Sequence, residues 1–283
     1  MNIKPDCLVC IYNQALKTTK LLELDDETSA KILFEVAKIL PNYSLNFTPP
    51  QIAKDTYKLI ETITNNPDPL KKAKELSIKE AKSFKPFLYE KIKKSNNPLL
   101  TALKIAVAGN VIDFGSKEQI SLKDILDNIF HTPFKLDSFK EFENKLKTVK
   151  SLVILGDNCG ENIFDVILAD TIKSLYDIEI FYFVRGKPII NDVTLQEANE
   201  SDMPKFATII DTGVPTPGYD LKYANEKSKE IFNNADLIIS KGMGNFESLY
   251  GITKREIFYL FVVKCNVIAD AVECEVGDLI LKV

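Results

Sequence analysis

Histidine is almost absent from this sequence, because its 283 residues include one histidine, His131, and no tryptophan. Zinc sites rich in histidine and phosphotransfer between paired histidines are therefore excluded. A Ser-His-Asp triad would have to use His131, which we expect in a polar loop, and a catalytic base must lie within hydrogen-bond reach of its nucleophile. Chemistry in this chain must depend on carboxylates, amides, lysines or a hard metal ion.

Long apolar runs are missing as well. The longest, 257–263, has seven residues, whereas about 20 are needed to cross a membrane. The first residues lack the apolar stretch of a signal peptide, and five cysteines in a chain of this size do not suggest a disulfide framework. We therefore expect a cytoplasmic protein that does not engage a membrane.

An overall excess of positive charge is also missing. The chain has 36 Lys and Arg residues and 40 Asp and Glu residues, which gives a net charge of −4. A nucleic-acid-binding protein normally has a basic excess. Residues 1–150 carry 24 basic and 19 acidic residues (+5), and 151–283 carry 12 and 21 (−9). This asymmetry reflects either two solvated surfaces of different sign or a site for cations in the second half.

The first part of the chain is predicted to be an all-helical region, 1–110. Apolar residues recur at helical spacing before residue 40, and the Thr-Pro-Pro at 48–50 predicts a helix start at 51. The segment 70–94 is rich in Lys, Glu and Ala, and 99–107 is apolar. We expect 111–150 to connect this region to the rest of the chain.

From residue 151 onward, runs rich in β-branched and aromatic residues alternate with amphipathic segments. Strand followed by helix predicts a three-layer α/β domain over 151–283, with a mostly parallel sheet covered on both faces. Ligands bind such sheets at the carboxyl ends of the strands. The strands are predicted at 151–155, 178–184, 206–210, 237–240 and 267–269, and the helices at 163–174, 219–233 and 246–263.

Polar residues follow the first of these strands directly, as Gly156-Asp157-Asn158-Cys159-Gly160-Glu161. The glycine pattern fits neither a dinucleotide fingerprint nor a P-loop. A carboxylate and an amide carbonyl next to a helix start are hard oxygen ligands suited to Mg²⁺ or Mn²⁺. The alternative is that Asp157 or Asn158 only caps the helix.

The next two strand ends carry further candidates. Asp192 offers a second carboxylate, or forms a turn with Asn191. Arg185 is one of two arginines in a chain with 34 lysines. Its planar guanidinium either has a functional role or belongs to an ordinary surface residue. The third end, Lys241-Gly242-Met243-Gly244-Asn245, opens a helix, where backbone N–H groups favour an anion.

Taken together, these segments resemble the damage-control phosphatases, a family of metal-dependent phosphatases. The resemblance spans nearly the whole chain, and the order and spacing of the set are specific. An N-terminal Cys-x-x-Cys resembles the microbial branch of the family. The segments are Cys7-Leu8-Val9-Cys10 with Gln14-Ala15, Ala108-Gly109-Asn110-Val111-Ile112-Asp113, 157–161, 191–194, 241–245 and Lys264-Cys265.

The resemblance implies a helical N-terminal region on an α/β/α domain. It also implies a divalent metal (Mn²⁺, Co²⁺, Ni²⁺ or Mg²⁺) held by Asp157, Asn158 and Asp192. Asp157 and Lys241 are the candidate catalytic residues. The candidate substrate and phosphate contacts are Asn110, Asp113, Glu161, Arg185, Gly242, Gly244, Asn245 and Lys264.

The expected reaction is hydrolysis of a small phosphomonoester, such as a sugar phosphate or a damaged phosphometabolite. The nucleophile is either a metal-bound water or Asp157, through an aspartyl-phosphate. Two alternatives are an S-adenosylmethionine-dependent carboxyl methyltransferase and a non-catalytic protein that binds a phosphometabolite or a metal. Cys7 and Cys10 could pack in the core, form a redox pair or supply two zinc ligands.

Overall fold

The computed structural model describes residues 1–109 and 122–283, and residues 1–109 contain helices and no strand. This confirms the predicted helical region over its described part. None of the described helices has the length and apolar character needed to cross a bilayer. The helices are α1 (Pro5–Leu21), α2 (Asp26–Ile39), α3 (Pro49–Thr64), α4 (Lys71–Lys94) and α5 (Pro98–Ala108).

Helix α3 begins at Pro49, two residues before the start at residue 51 that the Thr-Pro-Pro pattern predicts. Pro49 occupies the first turn, where a missing N–H costs little. Thr48 and Gln51 form a capping box, in which the Gln51 side chain accepts a hydrogen bond from the Thr48 N–H at 3.2 Å. Local sequence alone thus sets the start of this helix.

The remaining elements alternate between helix and strand. In order they are α6 (Leu122–His131), β1 (Phe134–Asp137), α7 (Phe139–Leu146), β2 (Ser151–Leu155), α8 (Glu161–Leu175), β3 (Glu179–Val184), α9 (Leu195–Asn199), β4 (Thr208–Asp211), α10 (Glu226–Asn234), β5 (Leu237–Lys241), α11 (Gly242–Leu249), β6 (Phe258–Val262), α12 (Asn266–Val272) and β7 (Leu279–Lys282).

The seven strands form one sheet in the order β1-β7-β6-β5-β2-β3-β4. All neighbouring pairs are parallel except β6 and β7, which are antiparallel. In β2, Leu152 and Ile154 pack into one hydrophobic core and Val153 and Leu155 into another. A strand buried on both faces is typical of a sheet covered by helices on each side.

Two helical layers and a small bundle surround the sheet. Apolar residues of α4 to α8 pack on one face, and those of α10 to α12 on the other. Helices α1 to α3 form a bundle whose core includes Ile189, from the loop after β3. Gln51 of α3 also donates a hydrogen bond from Nε2 to Asp220 Oδ2 at 2.8 Å. The predicted three-layer architecture is confirmed, and the bundle contacts loops at the carboxyl edge of the sheet.

Three predictions near the C-terminus are wrong. The segment predicted as one helix over 246–263 contains the end of α11 and strand β6, and the strand predicted at 267–269 lies in α12. The helix predicted over 219–233 begins only at Glu226. β6 is buried on both faces, so it has no alternation that would distinguish it from a buried helix.

The sheet also receives a strand from the predicted connecting segment. Within 111–150, β1 pairs with β7 at one edge of the sheet. Helix α5 packs on α8, so the N-terminal helical region shares a core with the sheet through its described residues. His131 ends helix α6 and is exposed, where a loop was expected. The division into 1–110, 111–150 and 151–283 stays a prediction.

Candidate active site

The crevice at the carboxyl edge lies between β2 and β5. These two strands are neighbours in the sheet, but the helices that follow them pack on opposite faces, α8 in one core and α11 in the other. Loops that diverge in this way leave a depression where ligands bind in parallel sheets. Residues after β2, β3 and β5 meet at this point.

Asp157 and Asn158 follow β2 and enter helix α8. The Asp157 carboxyl is buried, and Asn158 Nδ2 donates to Asp157 Oδ2 at 3.0 Å and to Glu161 Oε1 at 2.9 Å. Gly160 turns the chain into the helix with φ +93°, a conformation that favours glycine. Gly160 occupies the N-cap position of α8, and no side chain caps this helix. The interpretation of Asp157 or Asn158 as a mere helix cap is therefore not supported.

The loop after β3 is joined to the loop after β2 by backbone hydrogen bonds. Val193 N donates to Asp157 O at 2.9 Å and Cys159 N to Asn191 O at 2.8 Å. Asn158 and Asp192 form an isolated antiparallel bridge. The structure therefore brings together the three residues predicted as metal ligands, although Asp192 lies more than 30 residues after the other two.

Arg185 is buried between the two carboxylates rather than on the surface. Its Nε donates to Asp192 Oδ2 at 2.7 Å, and its Nη2 lies 3.6 Å from Asp157 Oδ1. Within the described part of the chain, Nη2 is buried and has no hydrogen-bond partner. A buried donor without a partner is costly, so this atom is suited to an oxygen of a bound anion.

The chain passes from β5 into α11 so close to Asp157 that only glycine fits at the first residue of the helix. Gly242 has φ +72°, and a Cβ at this position would lie 1.9 Å from Asp157 Oδ2. Gly244 also has no room for a side chain, because a Cβ there would lie 2.2 Å from Pro217 O. The two glycines predicted as phosphate contacts therefore also allow neighbouring loops to pack.

Lys241 is fully buried beneath the crevice. Its Nζ contacts Asp165 Oδ1 at 2.6 Å and Glu161 Oε2 at 3.3 Å. Burial opposes its charge, but these two carboxylates outweigh that effect and raise the pKa of Lys241. The ammonium is thus a fixed positive charge close to Asp157, and its catalytic role stays a prediction.

The other predicted contacts are placed differently. Asn245 is buried, and both the oxygen and the nitrogen of its side-chain amide form hydrogen bonds with the backbone. The oxygen accepts from Tyr219 N at 2.7 Å, and the nitrogen donates to Gly156 O at 3.0 Å. Lys264 is exposed after β6, and its charge lowers the pKa of Asp157. Asn110 and Asp113 lie outside the described residues.

Burial dominates the electrostatics of the two carboxylates in the crevice. Burial, reinforced by Glu161 and Asp192, raises the pKa of Asp157 well above its usual range. Burial also raises the pKa of Asp192 to about 6, although Arg185 acts in the opposite direction. Carboxyl groups with raised pKa values are typical of sites that are completed by a cation or a catalytic proton.

A divalent cation fits these donors by their chemistry. Two carboxylates and one amide carbonyl are hard oxygen ligands. Over 1–109 and 122–283, no group of three or more His, Cys, Asp or Glu residues is arranged to hold a metal. The predicted set depends on Asn158 as its third member, and it leaves coordination positions for water and substrate.

Sequence reasoning missed the residues that support this site. Asp165 lies four residues after Glu161, on the same face of α8, and binds Lys241. This four-residue spacing of two acidic residues was the signal by which the sequence could have indicated Asp165. Lys74 of α4 bridges Asp68 and Glu197 at 2.6 Å each, and no local pattern marks it.

Comparison with known proteins identifies the family. Residues 3–280 match the family model described as the damage-control phosphatase ARMT1-like domain. The chain belongs to this family. It is 29% identical to damage-control phosphatase PH1575 of Pyrococcus horikoshii, over 99% of this chain and 97% of that protein. It is 28% identical to a damage-control phosphatase of Archaeoglobus fulgidus, over 100% and 99% of the two chains.

A solved structure agrees with the sequence comparison. The crystal structure of a DUF89 family protein, PH1575 from Pyrococcus horikoshii, is similar to this damage-control phosphatase family member with a TM-score of 0.91. The two are 28% identical, and the match covers 100% of this chain and 99% of the other. Family membership supports a phosphatase role for this chain.

Proposed function

We propose that this protein hydrolyses small phosphomonoesters with a divalent cation held by Asp157, Asn158 and Asp192. The observation that carries the proposal is a buried cluster of oxygen donors at the carboxyl edge, in which the Asp157 and Asp192 carboxylates lie on either side of Arg185. Asn158 forms a bridge with Asp192 and adds an amide to the same cluster.

Two carboxylates that are buried close together are stabilised by a nearby positive charge, and a divalent cation would supply it. When bound, the cation supplies positive charge to the phosphoryl oxygens, which otherwise repel a nucleophile. Manganese, cobalt, nickel and magnesium are all compatible with the oxygen donors, and geometry and availability decide between them.

Residues of the chain provide the remaining charge stabilisation. Arg185 Nη2, which is buried and has no hydrogen-bond partner among the described residues, donates to an oxygen of the transferring phosphoryl group. Its Nε stays on Asp192, so the guanidinium is already oriented when substrate arrives. Preorganised donors of this kind stabilise charge that develops in a transition state without further reorganisation.

The bundle of α1 to α3 is the proposed cover of the substrate pocket. Tyr57 of α3 lies close enough to Asp192 for that carboxylate to raise its pKa, in addition to the larger effect of burial. Sugar phosphates and damaged phosphometabolites are small anionic esters of the required kind.

The first experiment measures hydrolysis of p-nitrophenyl phosphate by EDTA-stripped protein, with Mg²⁺, Mn²⁺, Co²⁺ or Ni²⁺ added singly. We expect metal-restored activity, and a loss of more than about 100-fold in Asp157→Asn because the cluster loses a ligand charge. Asp177→Asn, at an exposed loop carboxylate, is the control and keeps full activity.

No activity of folded protein with any of the four metals would overturn the proposal. A second experiment distinguishes the two nucleophiles. Rapid-quench trapping of labelled phosphate on Asp157 would indicate an aspartyl-phosphate, and its absence during turnover would indicate direct attack by water.

A further inference from the structure

One residue in the loop that carries Asp192 has an unusual backbone conformation. Ile190 has φ +47°, in the left-handed region, and over 1–109 and 122–283 it is the only β-branched residue with positive φ. Such a conformation is rare for a residue branched at Cβ, because the side chain crowds the backbone. Strain of this kind persists only where the surrounding structure imposes it.

The other three described non-glycine residues with positive φ have an ordinary explanation. Asn65 and Glu273 are the C-caps of α3 and α12, and Glu23 follows the C-cap of α1. Left-handed residues are common at the ends of helices, where they let the last carbonyl groups find hydrogen-bond donors. Ile190 lies instead in the loop between β3 and α9, so its conformation needs a different reason.

Ile190 is the first central residue of a tight turn. The turn spans 189–192 and is closed by a hydrogen bond from Asp192 N to Ile189 O at 3.0 Å. Of the two central residues, only Ile190 has positive φ, and a turn of this kind normally has glycine at that position. The turn therefore uses a conformation that glycine adopts more easily than isoleucine.

Isoleucine differs from glycine here by a side chain that contacts the bundle of α1 to α3. Ile189 is buried in the core of that bundle, and the half-buried Ile190 packs against the same core. Two adjacent side chains therefore attach the turn to the helical bundle.

The residues that follow Ile190 are held by the loop after β2. Cys159 N donates to Asn191 O at 2.8 Å, and Val193 N donates to Asp157 O at 2.9 Å. The buried Asp192 lies between these two backbone contacts. Within this one turn, the chain thus passes from contacts with the bundle to contacts with the proposed metal site.

We propose that Ile190 is a positioning residue that couples the bundle of α1 to α3 to the proposed metal ligand Asp192. Its side chain anchors the turn on the bundle, and its left-handed backbone directs the next residues toward the loop after β2. Both properties are needed in one residue, because glycine supplies the conformation without the anchor. This inference deepens the proposed function and rests on it.

The first measurement is amide hydrogen exchange of the metal-stripped protein, read by NMR at Cys159 and Val193. In Ile190→Gly the turn remains allowed, but its anchor on the bundle is lost. We expect both amides, which bond across the two loops, to exchange at least about 10-fold faster than in the wild type. Ile190→Val keeps a branched side chain and should stay within about three-fold of the wild type.

The second measurement is the Kd for Mn²⁺ by isothermal titration calorimetry. We expect this Kd to rise about 10- to 100-fold in Ile190→Gly, the usual loss when a group that supports a metal ligand is changed. In Ile190→Val the Kd should again stay within about three-fold of the wild type.

Two control variants separate positioning from stability. Leu33→Ala, in α2, removes an apolar side chain that packs against the same bundle core, so it should lower the melting temperature. Glu23→Gly replaces an exposed residue that also has positive φ, and it controls for the relief of backbone strain. Both controls should leave the two exchange rates and the Kd for Mn²⁺ within about three-fold of the wild type.

Three results would overturn the inference. They are unchanged exchange in Ile190→Gly, an equal change in Leu33→Ala, and faster exchange in Ile190→Gly with an unchanged Kd for Mn²⁺. If Ile190→Gly does not fold, Ile190→Asn serves instead, because asparagine also tolerates positive φ and lacks the apolar anchor. Wild-type protein that binds no Mn²⁺ would overturn the proposed function, while the exchange rates would still decide whether Ile190 holds the loop of Asp192.

Discussion

Gly242→Ala is the substitution whose effect follows most directly from the structure. Glycine is needed at this position for two separate reasons. The backbone is left-handed, with φ +72°, and an added Cβ would lie 1.9 Å from Asp157 Oδ2. The first reason concerns stability of the fold, and the second concerns the position of a proposed metal ligand.

The size of each effect can be worked out separately. Contacts of a Cβ shorter than 3.0 Å essentially never occur, so the Asp157 carboxylate must move by about 3.0 − 1.9 = 1.1 Å. A misplacement of about 1 Å in an active site costs about 100-fold in rate. A non-glycine residue in the left-handed region costs about 1–2 kcal/mol of stability.

Gly251→Ala provides the matched control, because Gly251 has φ +73° and no atom within 4 Å of the added Cβ. Both variants should lose about 1–2 kcal/mol of unfolding free energy in urea titrations. Only Gly242→Ala should lose about 100-fold in kcat/KM for p-nitrophenyl phosphate with saturating Mn²⁺. A kcat/KM of Gly242→Ala that lies within three-fold of the kcat/KM of Gly251→Ala would refute the reasoning.

Two predictions concern buried lysines. Lys74→Met leaves Asp68 and Glu197 without their shared cation, so the unfolding free energy should fall by about 3 kcal/mol. The control Lys85→Met breaks a more exposed ion pair and should cost at most about 1 kcal/mol. Equal losses of unfolding free energy in the two variants would contradict the argument from burial. Burial lowers the pKa of Lys104 to about 8, below its unfolded value, so the folded state disfavours its charge. The melting temperature of the wild type should therefore rise relative to that of Lys104→Met as the pH increases from 8 to 10. A difference between the two melting temperatures that stays constant over this pH range would contradict the prediction.

Local pattern was sufficient for most of the parallel sheet. Strand β2 lies at the predicted residues, and the predicted β3 and β5 differ from the structure by one residue at one end. These strands are short apolar runs that lead into glycine-containing turns and amphipathic helices. β6 and β7 were missed, because β6 is uniformly apolar and nothing local indicates its antiparallel partner.

The candidate site shows the same division. Asp157 and Asn158 directly follow a buried strand, and Asp192 lies in the segment after the next strand, so the carboxyl edge was the place to look for all three. The resemblance to the damage-control phosphatases grouped them as metal ligands. Their metal role stays a prediction. The partner of Lys241 was not found, because its contact with Asp165 depends on how α8 packs beside β5, and the two residues are 76 positions apart.

Apart from the short helix α9, the sequence by itself determined the order of strands and helices from 151 to 241. It also determined the placement of oxygen donors near strand ends and the resemblance to a phosphatase family. These follow from periodicity, turn residues and motif spacing, which are local properties. Only the tertiary structure decided that Arg185 lies between two carboxylates, that Lys241 is buried, and that Gly242 borders Asp157. Such contacts depend on strand order and on distances of a few ångströms between distant segments, which no local pattern specifies.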